Sequence, residues 1–166
     1  MIIGICSDSH GKAGRLEAAL RTMAEHNAQA VVHCGDVGSL RCVQLLGACG
    51  RPAYLVPGNM DRRLDRLAEA AAECNVVFHG EVLTVPAGGR QLAVTHGHDE
   101  SVLRELIGHQ QFAYVCHGHT HAARDERIGA TRVINPGALH HPRQPHHPTL
   151  AILDTDADTL QQVTIK

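Results

Sequence analysis

The sequence predicts an α/β fold with an α+β-like finish, and two observations carry that reading. Short apolar runs rich in Ile and Val alternate with stretches of helical periodicity through the first two-thirds of the chain. After Ala113–Cys116 the helical pattern ceases while the apolar runs continue, so the chain should close in mixed or antiparallel strands.

Ile2–Cys6 reads as a strand, and Leu16, Ala19, Leu20 and Met23 then recur at helical spacing. Ala30–Cys34 is a second strand, followed by Ser39 as an N-cap for a helix over Leu40–Cys49. Ala53–Val56 precedes a helix over Leu64–Cys74, and Leu92–Thr95 precedes one over Glu100–Gln110, with Val76–Phe78 and Val82–Val85 as further strands. Arg132–Ile134, Leu150–Leu153 and Leu160–Ile165 read as the closing strands, the last two joined by a turn over Asp154–Asp158. The segment His140–Pro148 is rich in His and Pro and reads as a flexible surface loop.

With 166 residues and no linker, the chain is expected to form one domain over 1–166. Fifteen Lys+Arg against seventeen Asp+Glu give a formal charge of -2 without a basic run, which argues against a nucleic-acid footprint. No apolar run reaches the roughly 18 residues of a membrane span, and Met1 is followed at once by Ile2-Ile3-Gly4-Ile5 without a charged leader, so a cytoplasmic location is expected. The six cysteines form no Cys-x-x-Cys pair and are expected to be reduced and mostly buried. Fourteen His beside two Phe, two Tyr and no Trp is the unusual figure, and it demands a chemical explanation.

That explanation lies at the ends of five apolar runs. Each terminates in a polar cluster: Asp8-Ser9-His10, Gly35-Asp36, Gly58-Asn59-Met60-Asp61, Thr95-His96-Gly97-His98 and Gly118-His119-Thr120-His121. In an α/β sheet the carboxyl ends of the strands line the binding crevice, so clusters far apart in sequence should converge there. Asp8 with His10, and His119 with His121, are two residues apart, which on extended chain points each pair to one side. Imidazole, carboxylate and amide oxygen without thiolate is a donor set for divalent Mn, Fe, Zn, Co or Ni, and argues against a structural zinc cluster.

In this order and spacing the motifs resemble those of the calcineurin-like metallophosphoesterase superfamily, most of all its YfcE-like group of small single-domain phosphodiesterases, and the likeness continues to Asn135-Pro136-Gly137. The resemblance implies a four-layer αββα sandwich of two mixed β-sheets flanked by helices, with a dinuclear centre at one edge. It implies one metal held by Asp8, His10, Asp36 and His121 and another by Asp36, Asn59, His96 and His119, with Asp36 bridging and manganese as the first choice. The implied activity is hydrolysis of a small phosphate ester, a diester rather than a monoester, by attack of a metal-bridging hydroxide. The expected catalytic residues are His98, Asp36 and Asn59, with Asn59, His98 and Arg62 contacting substrate. The family also permits a homodimer. The competing reading is a scaffold or protein-interaction subunit that keeps the fold without the reaction, as the retromer subunit of the superfamily does.

The pattern departs from many family members at Met60, where a His would donate a proton to the leaving group. His98 is the remaining protein candidate for that role. Asp61 is expected to orient a ligand or cap the next helix. Arg62 and Arg63 open that helix against its dipole and read as a solvated pair neutralised by Asp61 and Asp65, unless one faces substrate phosphate. His33 and His117 lie inside apolar runs and read as hydrogen-bonded interior histidines. Cys6 and Cys34 precede Asp8 and Asp36 by two and so share their respective faces, and read as small buried hydrophobes under the site.

Overall fold

The computed structural model describes residues 1–165. In chain order the elements are β1 (Ile2–Cys6), α1 (Ala13–Glu25), β2 (Ala30–His33), α2 (Leu40–Gly47), β3 (Ala53–Leu55), α3 (Leu64–Glu73), β4 (Val76–Phe78), β5 (Val82–Ala87), β6 (Arg90–Thr95), α4 (Glu100–Gly108), β7 (Tyr114–Cys116), β8 (Arg124–Ile128), β9 (Thr131–Asn135), β10 (Thr149–Asp154) and β11 (Thr159–Thr164). One sheet has six strands in the order β11-β10-β1-β2-β3-β4 and the other five in the order β5-β6-β7-β9-β8. In the first, β1 to β4 run parallel and β10 and β11 close it antiparallel. In the second, β6, β7 and β9 run parallel between antiparallel β5 and β8. The α/β start and β-rich finish follow from this connectivity.

Three apolar layers separate four layers of structure. Leu16, Ala19 and Met23 of α1, Val43 and Leu46 of α2 and Leu67 and Ala71 of α3 cover one face of the six-stranded sheet together with Val31 and Leu55. Ile3, Ile5 and Val32 meet Val85, Leu92, Val94 and Tyr114 between the two sheets. Ile107 of α4 packs with Ala93, Val115 and Val133 on the outer face of the five-stranded sheet. Each helix thus contributes one stripe at 3.6-residue spacing, and the parallel strands, covered on both faces, are continuous apolar runs.

Ser39 accepts the Cys42 N–H at 3.3 Å and caps α2 as expected, and Asp99 caps α4 by accepting from Ser101 at 2.9 Å and Val102 at 3.3 Å. One strand is added to those expected. Residues 124–128 form an edge strand, β8, whose Arg-Asp-Glu-Arg stretch carries no apolar alternation. Cys6 and Cys34 are small buried side chains, as expected, on opposite faces of their sheet, Cys6 under the helices and Cys34 between the sheets. All six cysteines are free, four of them buried, and burial pushes the Cys6 and Cys34 thiols well up, so they are poor nucleophiles. Among the described residues no helix is long and apolar enough to cross a membrane.

Candidate metal centre

All five polar clusters follow the carboxyl ends of parallel strands, β1, β2 and β3 in one sheet and β6 and β7 in the other. The two sheets are tied at this edge, where the His119 N–H donates to Asp8 Oδ2 at 3.2 Å and His96 Nδ1 donates to the Cys34 carbonyl at 2.8 Å. The backbone is not extended there. Asp8 (φ 56°), His10 (44°), Asp36 (53°), His119 (63°) and His121 (57°) are all left-handed, a conformation that costs on the order of 1 kcal/mol or more for each such residue and gathers at functional sites. Bonds from Asp8 N to Gly35 O (3.0 Å), His10 N to Asp36 O (2.9 Å) and His140 N to Asp8 O (3.0 Å) hold the kinks. The period-two rule of extended chain therefore does not set side-chain direction here. Asp8 and His10 face one neighbourhood, whereas His119 and His121 diverge to different halves of the site.

The glycines before these residues provide clearance. A Cβ on Gly58 would fall 2.1 Å from Asp36 Oδ1, and one on Gly35, itself at φ 95°, would fall 2.5 Å from His96 Nδ1.

Asp8, His10 and His121 form one half of the cluster. His121 Nε2 is 3.2 Å from Asp8 Oδ1 and 3.4 Å from His10 Nε2, and His10 Nε2 is 3.8 Å from Asp8 Oδ1. Asp36, Asn59, His96 and His119 form the other. Asn59 Oδ1 is 3.1 Å from both His96 Nε2 and His119 Nδ1, and Asp36 Oδ2 is 3.5 Å from His96 Nε2. The same Asp36 oxygen lies 3.7 Å from His10 Nε2, so this carboxylate faces both halves.

The tautomers show why such a cluster calls for a cation. His96 Nδ1 lies 2.8 Å from the Cys34 carbonyl and His121 Nδ1 lies 2.8 Å from the His141 carbonyl. Each Nδ1 must donate, which leaves each Nε2 as a lone pair aimed at carboxylate and amide oxygens in the neutral ring. Acceptor then faces acceptor, and Asp8 Oδ1 is buried with no hydrogen-bond partner at all. Donors about 2.0–2.2 Å from a shared ion stand about 3.0–3.5 Å apart, close to the separations seen here, so the residues present fit divalent metal. Without metal the same frustration falls on protons. Burial works against charging His96, but Asp36 and the Cys34 carbonyl outweigh it and raise its pKa. Asp8 raises that of His121. Asp36 is likewise opposed by burial, yet His96 and the Met60 N–H hold it below the usual carboxylate range.

Supporting residues surround the cluster. His33 is fully buried with Nε2 2.9 Å from Ser9 Oγ, and burial lowers its pKa to about 4. His117 is also lowered to about 4 by burial. Both are interior histidines, as the apolar runs implied. Asn135 donates to the Gly118 carbonyl at 2.8 Å and to Thr120 Oγ1 at 3.1 Å while accepting from Gly137 N at 2.9 Å, bracing the loop that carries His119 and His121. Asp61 does not cap α3, whose N-cap is Arg63. Instead its buried carboxylate accepts the N–H groups of Val37 (3.1 Å), Gly38 (2.9 Å) and Gly58 (2.9 Å). The loop at 140–148 is anchored to the site through Arg143 N to His121 O (2.9 Å) and the His141 carbonyl. That backbone role leaves no mark on residue type.

His98 is exposed at the rim, its ring 5.5 Å from His96 and 6.3 Å from His119. Arg63 pairs with Asp65 at 3.3 Å, whereas Arg62 is exposed and lines a cavity of about 270 Å³ beside Met60 and Arg66.

A two-sheet sandwich with imidazoles and carboxylates gathered over its strand ends is the build of a metal-dependent phosphoesterase. Residues 1–158 match the calcineurin-like phosphoesterase superfamily domain, and the chain belongs to that superfamily. It is 29% identical over 167 residues to Phosphodiesterase MJ0936 of Methanocaldococcus jannaschii, covering all of both chains, and 32% identical to Probable metallophosphoesterase YsnB of Bacillus subtilis, covering 95% of this chain and 86% of that one. Among solved structures, an archaeal phosphodiesterase superposes with a TM-score of 0.90 at 29% identity over 99% of this chain and 100% of the other. Yfce, a phosphoesterase from E. coli, superposes at 0.71 with 23% identity over the whole of both chains, and Vps29 of Entamoeba histolytica at 0.70 with 17% identity over the whole of both; these two likenesses concern the fold alone.

Proposed function

We propose that the chain is a single-domain cytoplasmic phosphodiesterase that hydrolyses a small phosphate ester with two divalent cations, manganese first among them. Asp8, His10, Asp36 and His121 would hold one ion and Asp36, Asn59, His96 and His119 the other. The observation that carries this reading is Asp36 Oδ2, which faces His10 at 3.7 Å and His96 at 3.5 Å and so belongs to both halves. Divalent ions in such a site supply an acidified water as nucleophile and polarise the phosphoryl oxygens. The protein's own residues do the rest. His98 stands at the open rim, where an N–H can reach a leaving oxygen, a task Met60 cannot perform. Arg62, free of a carboxylate partner among the described residues, offers charge to a phosphate arm. Six free thiols support the cytoplasmic setting.

Metal analysis combined with hydrolysis of bis(p-nitrophenyl) phosphate and p-nitrophenyl phosphate, with and without added manganese, tests the reading. Manganese-dependent turnover with the diester preferred is expected. Preference for the monoester overturns the diester assignment, and fully metallated protein that turns over neither ester establishes the scaffold alternative.

A further inference from the structure

A second cavity, of about 430 Å³, opens directly beside the cluster and is used by nothing described so far. His98 and His119 form the wall it shares with the site, and Leu103, Ile107 and Ile128 form an apolar floor between α4 and β8. Of its charged rim groups, Arg124 reaches Glu126 at 2.6 Å, Arg104 donates to the Glu100 backbone carbonyl at 3.2 Å, and Glu100 sets a carboxylate against the two arginines. Its volume falls within the range of small-molecule sites. Gly108, the last residue of α4, stands at the mouth, and a Cβ added there meets nothing within 4 Å.

Resting on the phosphodiesterase reading, the geometry points to this cavity as the subsite for one ester arm of the substrate, an uncharged flat aromatic or heteroaromatic group such as a nucleoside base. His119 belongs both to the cluster, where its Nδ1 is 3.1 Å from Asn59 Oδ1, and to the cavity wall, so an ester arm of a phosphate held at the cluster can enter the cavity without leaving the site. An apolar floor rewards burial of a ring face, and a rim that balances Arg104 and Arg124 against Glu100 and Glu126 offers little net charge to an anionic arm. The Arg62 side of Asn59, with Arg66 beside it, is the more cationic of the two cavities and leaves the aromatic arm to this one.

Equilibrium binding of two symmetric diesters, diphenyl phosphate and dimethyl phosphate, to the manganese-loaded protein tests the subsite without requiring turnover. The native protein is expected to bind diphenyl phosphate tighter by about tenfold or more, the scale of burying one ring. Gly108→Leu, which fills the mouth at an exposed helical position, should reduce that ratio toward one, with Gly108→Ala intermediate. Equal affinity for the two diesters in the native protein, or a ratio unchanged in Gly108→Leu, overturns the subsite. Loss of phosphodiester turnover with the binding ratio intact would instead overturn the enzymatic reading and leave the cavity assigned.

Discussion

Asp36 and Asp61 are locked to each other's loops. Asp36 Oδ1 accepts the N–H of Met60 at 2.8 Å, the residue just before Asp61, while Asp61 accepts the N–H groups of Val37 and Gly38, the residues just after Asp36. The loops after β2 and β3 are thereby held in one register, with Gly58 packed where only hydrogen fits against Asp36. One carboxylate of the pair faces the imidazoles of the cluster and the other accepts hydrogen bonds only from backbone amides.

Asp61→Ala leaves three N–H groups without their acceptor, and an unsatisfied buried donor costs about 1–3 kcal/mol. The expected outcome is a loss of roughly 3 kcal/mol or more in urea unfolding. Asp61→Asn, which retains one acceptor oxygen, should fold and bind manganese about 10–100-fold more weakly by calorimetry, the usual effect of loosening the support of a ligand. Unchanged metal affinity in Asp61→Asn would contradict this role.

His33 and His117 set an acid limit on stability. Burial lowers both to about 4, below free histidine near 6.5. The unfolded chain therefore takes up protons first, so their contribution is fully present above about pH 6.5 and is lost between there and about pH 4, up to roughly 3 kcal/mol for each. Asp36, held below 3.8, acts only under that window. Unfolding of metal-free protein should show stability rising with pH from 4.5 to 6.5, with a shallower slope in His117→Gln. A flat profile would contradict the assignment of these rings as buried and neutral.

His98→Gln separates two roles. If His98 donates a proton, the loss in kcat grows with leaving-group pKa, small for p-nitrophenolate and reaching about 10²-fold or more for a phenyl or alkyl ester. An equal loss across the series would instead mark it as a phosphate-orienting group.

Arg62→Ala should raise KM by about three- to tenfold with kcat nearly unchanged, since a rim cation contributes binding more than chemistry. Arg63→Ala, whose guanidinium is already engaged by Asp65 at 3.3 Å, should leave both constants as they are.

The order of elements and the gathering of polar clusters at strand ends were legible in the sequence because parallel strands buried on both faces read as uninterrupted apolar runs such as Ala30–His33. β8 was not legible, since an edge strand protected by Arg124, Asp125, Glu126 and Arg127 carries no hydrophobic period. The divergence of His119 from His121 was hidden as well. Spacing two implies a shared face only on extended chain, and both residues are left-handed. Asp61 reads from sequence as a cap because its amide partners in the β2 loop lie more than twenty positions upstream, and no local signal couples them. The anchoring of His121 by the His141 carbonyl uses a backbone atom that any residue would supply.

The central claim is that one carboxylate, Asp36, joins two cation sites. Counting ions bound per chain by calorimetry and elemental analysis in the native protein and in Asp36→Ala tests it most directly. Two manganese ions in the native protein are expected, with both lost or weakened together in the variant and diester turnover down by about 10³-fold or more. A single ion in the native protein, or two that survive removal of Asp36, would contradict the account.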